Sequence, residues 1–217
     1  MPSTDSPTAV FFDLDGTVVE FTRSYGDVLV ETFEAHTDDR PVELAEAYNE
    51  HFFARFDAVE PEPVLGAMRD AVAETGHDLD PEALRDTLHE KELDMTAVSD
   101  EARALFDELA ERHHLGVLTN GVPEWQRSKL AHHGLTDRFE TFVASYEAGA
   151  HKPDSAPYDL ARERAPDEIS RFVMVGDDYE PDVQGARDAG FEAIHLDRGV
   201  ESVVVPDIES LGLLRDF

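Results

Sequence analysis

The sequence predicts an α/β protein: a doubly wound parallel sheet, interrupted after its first strand by an all-helical insertion. Three observations lead there. Short apolar runs each end abruptly in a polar turn, and helical patterns lie between most of them. The stretch from about residue 20 to residue 98 has several amphipathic helical patterns and no convincing strand.

The first run, Ala9-Val10-Phe11-Phe12, passes into Asp13-Leu14-Asp15-Gly16-Thr17 and reads as a buried strand that ends in a turn. Helical patterns follow over 29–36, 42–56, 64–74 and 81–93, separated by Pro41, Pro61, Pro63 and Gly76. Residues 20–98 are therefore expected to form a helical domain set into a core made of 1–19 and 99–217, hanging over the carboxyl edge of the sheet. Ser99 is a natural N-cap for a helix over 99–112, with Asp100 and Glu101 in its first turn. Leu115-Gly116-Val117-Leu118 then leads into Thr119-Asn120-Gly121, and a weaker run, Phe142-Val143-Ala144, leads into Ser145. Phe172-Val173-Met174-Val175 precedes Gly176-Asp177-Asp178, and Ala193-Ile194-His195-Leu196 precedes Asp197. Polar residues placed just after parallel strands converge at the carboxyl edge of the sheet, where open α/β folds bind ligands.

Composition narrows the function. Among 217 residues, 49 are Asp or Glu and 18 are Lys or Arg, a formal net charge of -31, yet 41% are hydrophobic, enough for a folded core. Such a charge repels phosphate backbones and anionic lipid, which argues against a general nucleic-acid or membrane-surface binder. A small anionic substrate is still accessible through a local donor cluster or a bound cation, because screening limits the reach of surface charge to about 8 Å. The acids are spread along the chain, and Lys occurs only at Lys91, Lys129 and Lys152. That dispersal is expected of a halophilic source with a salt-rich cytosol rather than of an acidic interaction tail. The absence of Cys excludes disulfides, thiolate metal sites and cysteine nucleophiles. With no signal-peptide pattern and no apolar run of about 18 residues, the expected location is the cytoplasm.

Asp13 and Asp15 stand at alternate positions after the first run, and carboxylates this close stay ionised most readily beside a divalent cation. The rival reading of the turn, taken alone, is a solvated acidic loop. It is not a calcium EF-hand loop, because Gly16 comes too early. Thr119, Asn120 and Gly121 offer a hydroxyl, an amide and an unhindered backbone N–H suited to phosphoryl oxygens, or form an ordinary strand-to-helix turn. Lys152 is a compact cation retained where Arg is otherwise preferred, which fits neutralisation of a phosphate or a nucleophile. Asp177, Asp178 and Asp182 add carboxylates to the same edge, and hard oxygen ligands without thiolate or HExxH point to magnesium. His113-His114 and His132-His133 are expected near helix ends, explained by the helix dipole. Trp125 is expected to pack against the sheet or shield its edge, and among Phe21, Arg23 and Tyr25, Arg23 is the candidate substrate contact.

In this order the four clusters resemble the haloacid dehalogenase-like hydrolase superfamily. Asp13 to Thr17, Thr119 to Gly121, Lys152-Pro153 and Gly176 to Asp182 match its four motifs, with Glu147 and Gly149 ahead of the third. The resemblance covers nearly the whole chain and implies a Rossmann-like core carrying a helical cap between motifs one and two. It implies that Asp13 is the nucleophile that becomes an aspartyl phosphate, and that Asp15 protonates the leaving alcohol and then activates water. It also implies Mg2+ held by the Asp13 side chain, the Asp15 backbone carbonyl and Asp177, with Asp182 or Asp178 in support. Thr119, the Asn120 backbone and Lys152 complete the implied phosphoryl clamp, with Gly121 beside them. An acid two residues after the nucleophile fits a phosphatase rather than a dehalogenase, since halide leaves without a proton. The expected function is thus hydrolysis of a small phosphorylated metabolite. A phosphomutase of the beta-phosphoglucomutase-like kind is the enzyme alternative, and a phosphoacceptor signalling domain the non-enzyme one.

Overall fold

The computed structural model describes residues 8–38 and 41–196. Asp197, expected to follow the last strand, lies outside the described residues. In chain order the elements are β1 (Thr8–Phe12), β2 (Glu20–Phe21), α1 (Tyr25–Glu34), α2 (Val42–Asp57), α3 (Pro63–Thr75), α4 (Pro81–Asp94), β3 (Thr96–Ala97), α5 (Asp100–Ala110) and β4 (His114–Thr119). There follow α6 (Pro123–His132), β5 (Thr141–Ala144), α7 (Ser145–Ala148), α8 (Ser155–Arg164), β6 (Arg171–Gly176), a π-helical turn over Tyr179–Gln184, α9 (Gly185–Asp188) and β7 (Glu192–His195). The described residues divide into two compact units, one of 8–20 and 97–196, the other of 21–38 and 41–96.

In the first unit five parallel strands lie in the order β5-β4-β1-β6-β7. β1 is central because it is buried at every position and apolar from Ala9 to Phe12. Its alternating side chains serve two separate cores. Val10 and Phe12 pack with Leu105, Phe106 and Leu109 of α5 and Leu130 of α6. Ala9 and Phe11 pack on the other face with Tyr158 and Ala161 of α8, Ala186 and Phe191. Helices thus cover both faces, and the sheet is a doubly wound, Rossmann-like one. Strand order reverses at β1: the chain builds outward through β4 and β5, then crosses back to β6. Phe12 is in register with Val117 on one side and Val175 on the other, so Asp13, Thr119 and Asp177 emerge from three adjacent strand ends at the switch point.

Ser99 caps α5 as expected, its Oγ accepting the Ala102 N–H at 3.1 Å. His132 and His133 lie at the end of α6 as expected, but His114 and the helix-dipole explanation for His133 need correction. His114 is the first residue of β4 rather than a helix-end residue, and its ring hydrogen-bonds with Thr141 Oγ1 at 2.7 Å. At the end of α6, burial together with His132 and Arg103 holds His133 below the ordinary histidine range, which disfavours the charge a dipole contact needs. Arg103 Nη1 instead donates to the His133 carbonyl at 2.7 Å.

The second unit packs four helices around Leu29, Phe33, Leu44, Tyr48, Met68, Leu84 and Leu88, all buried. Asp80 caps α4 by accepting the Glu82 N–H at 3.0 Å, with Pro81 at the first helical position, where its missing N–H leaves nothing unsatisfied. The paired strands β2 and β3 mark where the chain leaves and re-enters the first unit. Among the described residues no helix is long and apolar enough to cross a membrane.

Candidate active site

At the carboxyl end of the sheet a cavity of about 220 Å³ is lined by Asp13, Asp15, Thr119, Asn120, Lys152, Asp177, Asp178, Pro181 and Asp182. Residues from all four sequence clusters meet there. A larger depression of about 460 Å³ lies beside β5 between Arg127 and Arg164, but none of these acids line it.

Asp13 leaves β1 with its N–H donated to the Val175 carbonyl at 2.9 Å, fixing it beside β6. Lys152 is the hub. Its buried Nζ donates to Asp13 Oδ1 at 2.9 Å, Asp182 Oδ1 at 2.6 Å and the Leu118 carbonyl at 2.8 Å, so all three ammonium hydrogens have partners. Burial alone would lower the Lys152 pKa, but Asp13 and Asp182 more than offset this and hold it well above the usual lysine range. For Asp13, burial pushes the carboxyl up to about 7 against the pull of Lys152, and the neighbouring Asp182 and Asp15 carboxylates add to the rise. Asp13, Asp177 and Asp182 each offer a carboxylate oxygen within 4.8 Å of the others. Three hard oxygen donors beside one lysine leave excess negative charge, and a divalent cation is the natural complement.

Two glycines make this crowding possible. Gly16 has φ +85°, and a Cβ there would lie 2.4 Å from Asp177 Oδ2. The adjacent Thr17 Oγ1 donates to Asp177 Oδ1 at 2.8 Å and turns that carboxylate toward Asp13. A Cβ on Gly176 would lie 2.2 Å from Asp182 Cγ. Asp182 sits in the π-helical turn, a widened backbone common at functional sites, and its Oδ2 accepts the Asp178 N–H at 3.1 Å. Gly176→Ala is therefore expected to lower stability by about 1–3 kcal/mol through forced displacement of Asp182, and to weaken whatever hold the Asp13, Asp177 and Asp182 cluster has on a divalent cation. Thermal unfolding and metal titration check this. Unchanged values in both would show that Asp182 tolerates relocation.

The second cluster is placed differently from its sequence reading. The Asn120 side chain brackets the Lys152 backbone: Nδ2 donates to the Lys152 carbonyl at 3.0 Å, and Oδ1 accepts the Lys152 N–H at 2.8 Å. Its amide therefore ties the second cluster to the third. The Gly121 N–H, expected to be open to phosphoryl oxygens, donates to Ser145 Oγ at 3.0 Å. Thr119 lines the cavity, and so does Asn120. Arg23 belongs to the helical unit, where its guanidinium pairs with Glu31.

Sequence reasoning missed the partners of Asp15. Lys129 Nζ donates to Asp15 Oδ1 at 2.7 Å and Oδ2 at 2.8 Å, and Gln126 Nε2 donates to Oδ2 at 2.8 Å. Both donors come from α6 and are buried. A signal was present: Lys129 is one of three lysines in a chain that otherwise uses Arg, and Gln126 lies three residues before it, on the same helical face.

Fold and site together define an open α/β protein with an acidic, lysine-bridged centre at the switch point of its sheet. The chain belongs to the haloacid dehalogenase-like hydrolases, whose family model matches residues 7–190. It is 40% identical over 123 residues to the phosphoserine phosphatase of Thermus thermophilus, covering 54% of this chain and 48% of that protein. That match spans about half the length of the relative. The chain is also 30% identical over 212 residues to the ribulose-1,5-bisphosphate 5-phosphatase of Halopiger xanaduensis, covering 90% of this chain and 87% of the relative. Among solved structures, the HAD-hydrolase YfnB of Bacillus subtilis, bound to magnesium, superposes with TM-score 0.70 at 22% identity, covering 97% of this chain and 99% of that one.

Proposed function

We propose that this protein is a magnesium-dependent phosphomonoester hydrolase acting on a small phosphorylated metabolite. The observation that carries the reading is the meeting of Asp13, Asp15, Lys152, Asp177 and Asp182 around one cavity at the switch point of the sheet. The two curated relatives described above are phosphatases of small metabolites, which supports the substrate class.

In this reading an Asp13 carboxylate oxygen attacks phosphorus in line, and the bond from phosphorus to the leaving oxygen breaks. Asp15 gives its proton to that oxygen, so the alcohol departs neutral. Asp15 then takes a proton from water as the water oxygen attacks the aspartyl phosphate, releasing inorganic phosphate and restoring Asp13. Lys152 holds Asp13 and Asp182 together and supplies positive charge beside the entering phosphoryl group. Asp13, Asp177 and Asp182 are the side chains that would hold magnesium, with the Asp15 backbone carbonyl in support. When bound, the cation offsets repulsion between an anionic nucleophile and an anionic phosphate. Thr119 and the Asn120 backbone would contact phosphoryl oxygens.

A phosphate-release screen over sugar phosphates, phosphoamino acids, phosphoglycolate and nucleoside monophosphates tests the proposal. Release is expected with magnesium and is expected to fall at least about 100-fold in EDTA, then return when magnesium is restored. Isomerisation of a sugar phosphate without net phosphate release would favour a mutase. Failure to turn over even an aryl phosphate would favour a phosphoacceptor domain.

A further inference from the structure

Asp15 is gripped more firmly than a surface turn requires. Its carboxylate is partly open to the cavity, yet three hydrogen bonds from two buried side chains converge on it. Lys129 has a side chain only 3% exposed and reaches both carboxylate oxygens, while Gln126 adds a second donor to Oδ2. The Gln126 amide cannot be reversed without aiming its oxygen at the Asp15 carboxylate and the Asn120 carbonyl, so Nε2 is the atom that faces them. That same Nε2 lies 3.1 Å from Thr119 Oγ1 and 3.2 Å from the Asn120 carbonyl. Gln126 therefore joins the turn after β1 to the end of β4, behind the residues that line the cavity. Oδ2 of Asp15 receives two donors and has both lone pairs engaged, whereas Oδ1 receives one and keeps a lone pair for another partner.

From this geometry we infer that Lys129 and Gln126 are positioning residues that fix the direction of the Asp15 carboxylate, leaving Oδ1 as the oxygen presented to the leaving group. The inference rests on the reading of Asp15 as the proton donor. Neither α6 residue lines the cavity, so each acts through Asp15 rather than on the substrate. The rival is a structural tie between α6 and the first turn, with no consequence for the chemistry.

The two are separated by a double-mutant cycle of Lys129→Met with Asp15→Asn, assayed on an alkyl phosphate and on nitrophenyl phosphate with saturating magnesium. For Lys129→Met, kcat on the alkyl ester is expected to fall about 10–100-fold with KM within about threefold, and the fall on nitrophenyl phosphate to be under about threefold, since that leaving group needs little protonation. In the Asp15→Asn background, adding Lys129→Met is expected to change kcat by less than about twofold, because the residue acted upon is gone. Gln126→Leu, which keeps the shape and removes the donor, is expected to show the same pattern at about 3–10-fold and serves if Lys129→Met does not fold. Multiplicative losses in the double variant, or equal losses for both leaving groups, would overturn the positioning role while the proton-donor reading stands. Full alkyl-ester turnover by Asp15→Asn alone would overturn both.

Discussion

Asp13→Asn is expected to abolish turnover, by about four orders of magnitude or more, in a chain that stays folded. In the proposed mechanism Asp13 carries the phosphoryl group covalently; an amide oxygen could not do so, and no neighbouring carboxylate is free to replace it. Asp182 is held by Lys152 and by the Asp178 N–H. Asp177 is oriented by Thr17, and Asp15 by Lys129 and Gln126. Folding should survive because the substitution removes charge from a cluster that already holds too much of one sign. Burial has pushed the Asp13 carboxyl up to about 7, so a neutral amide relieves the metal-free site. Lys152 keeps Asp182 and the Leu118 carbonyl, and the Asn oxygen can accept its third hydrogen. Circular dichroism and thermal unfolding in EDTA should give a Tm no lower than that of the unmodified chain, beside phosphate release at background. Retention of more than about 1% of turnover by a purified variant would remove Asp13 from the nucleophile role.

The frame of this site was legible in the sequence because strand ends announce themselves. Ala9 to Phe12 could only be a strand buried on both faces, and a polar turn after such a strand must lie at the sheet edge. The same logic placed Thr119 and Asp177, whose strands β4 and β6 flank β1 in register. What the residues offer once there was less legible. The Asn120 amide and the Gly121 N–H are taken up by Lys152 and Ser145, partners 32 and 24 residues away along the chain. No local pattern reports that the loop after β5 packs beside the loop after β4. Lys129 and Gln126 escaped notice for a related reason. A polar residue on a polar helix reads as solvated surface until the fold shows that this face of α6 turns inward onto Asp15. His114 shows the converse, since β4 begins one residue earlier than its apolar run and draws that histidine into pairing register with Ala9.

Lys152→Met should damage both stability and chemistry, and its two effects can be separated. With the ammonium gone, Asp13 and Asp182 face each other in a buried site with neither a shared counter-charge nor its three hydrogen bonds. Breaking a buried pair by removing one partner typically costs about 3–5 kcal/mol, and the metal-free variant is expected to lose stability in that range. Magnesium should restore part of it, because a dication held by Asp13, Asp177 and Asp182 would again supply positive charge. Turnover should not return with it. The cation can neutralise the carboxylates, but it cannot stand where Nζ stands, hydrogen-bonded at once to Asp13 and to the Leu118 carbonyl at the end of β4. Lys152→Arg is expected to be inactive too, since a planar guanidinium cannot direct three hydrogens from one centre into this space. The decisive measurement sets denaturant unfolding with and without magnesium beside phosphate release for each variant. If magnesium restored stability and turnover together in Lys152→Met, the lysine would be a counter-ion only, and the phosphoryl clamp would have to be built from Thr119 and the Asn120 backbone alone.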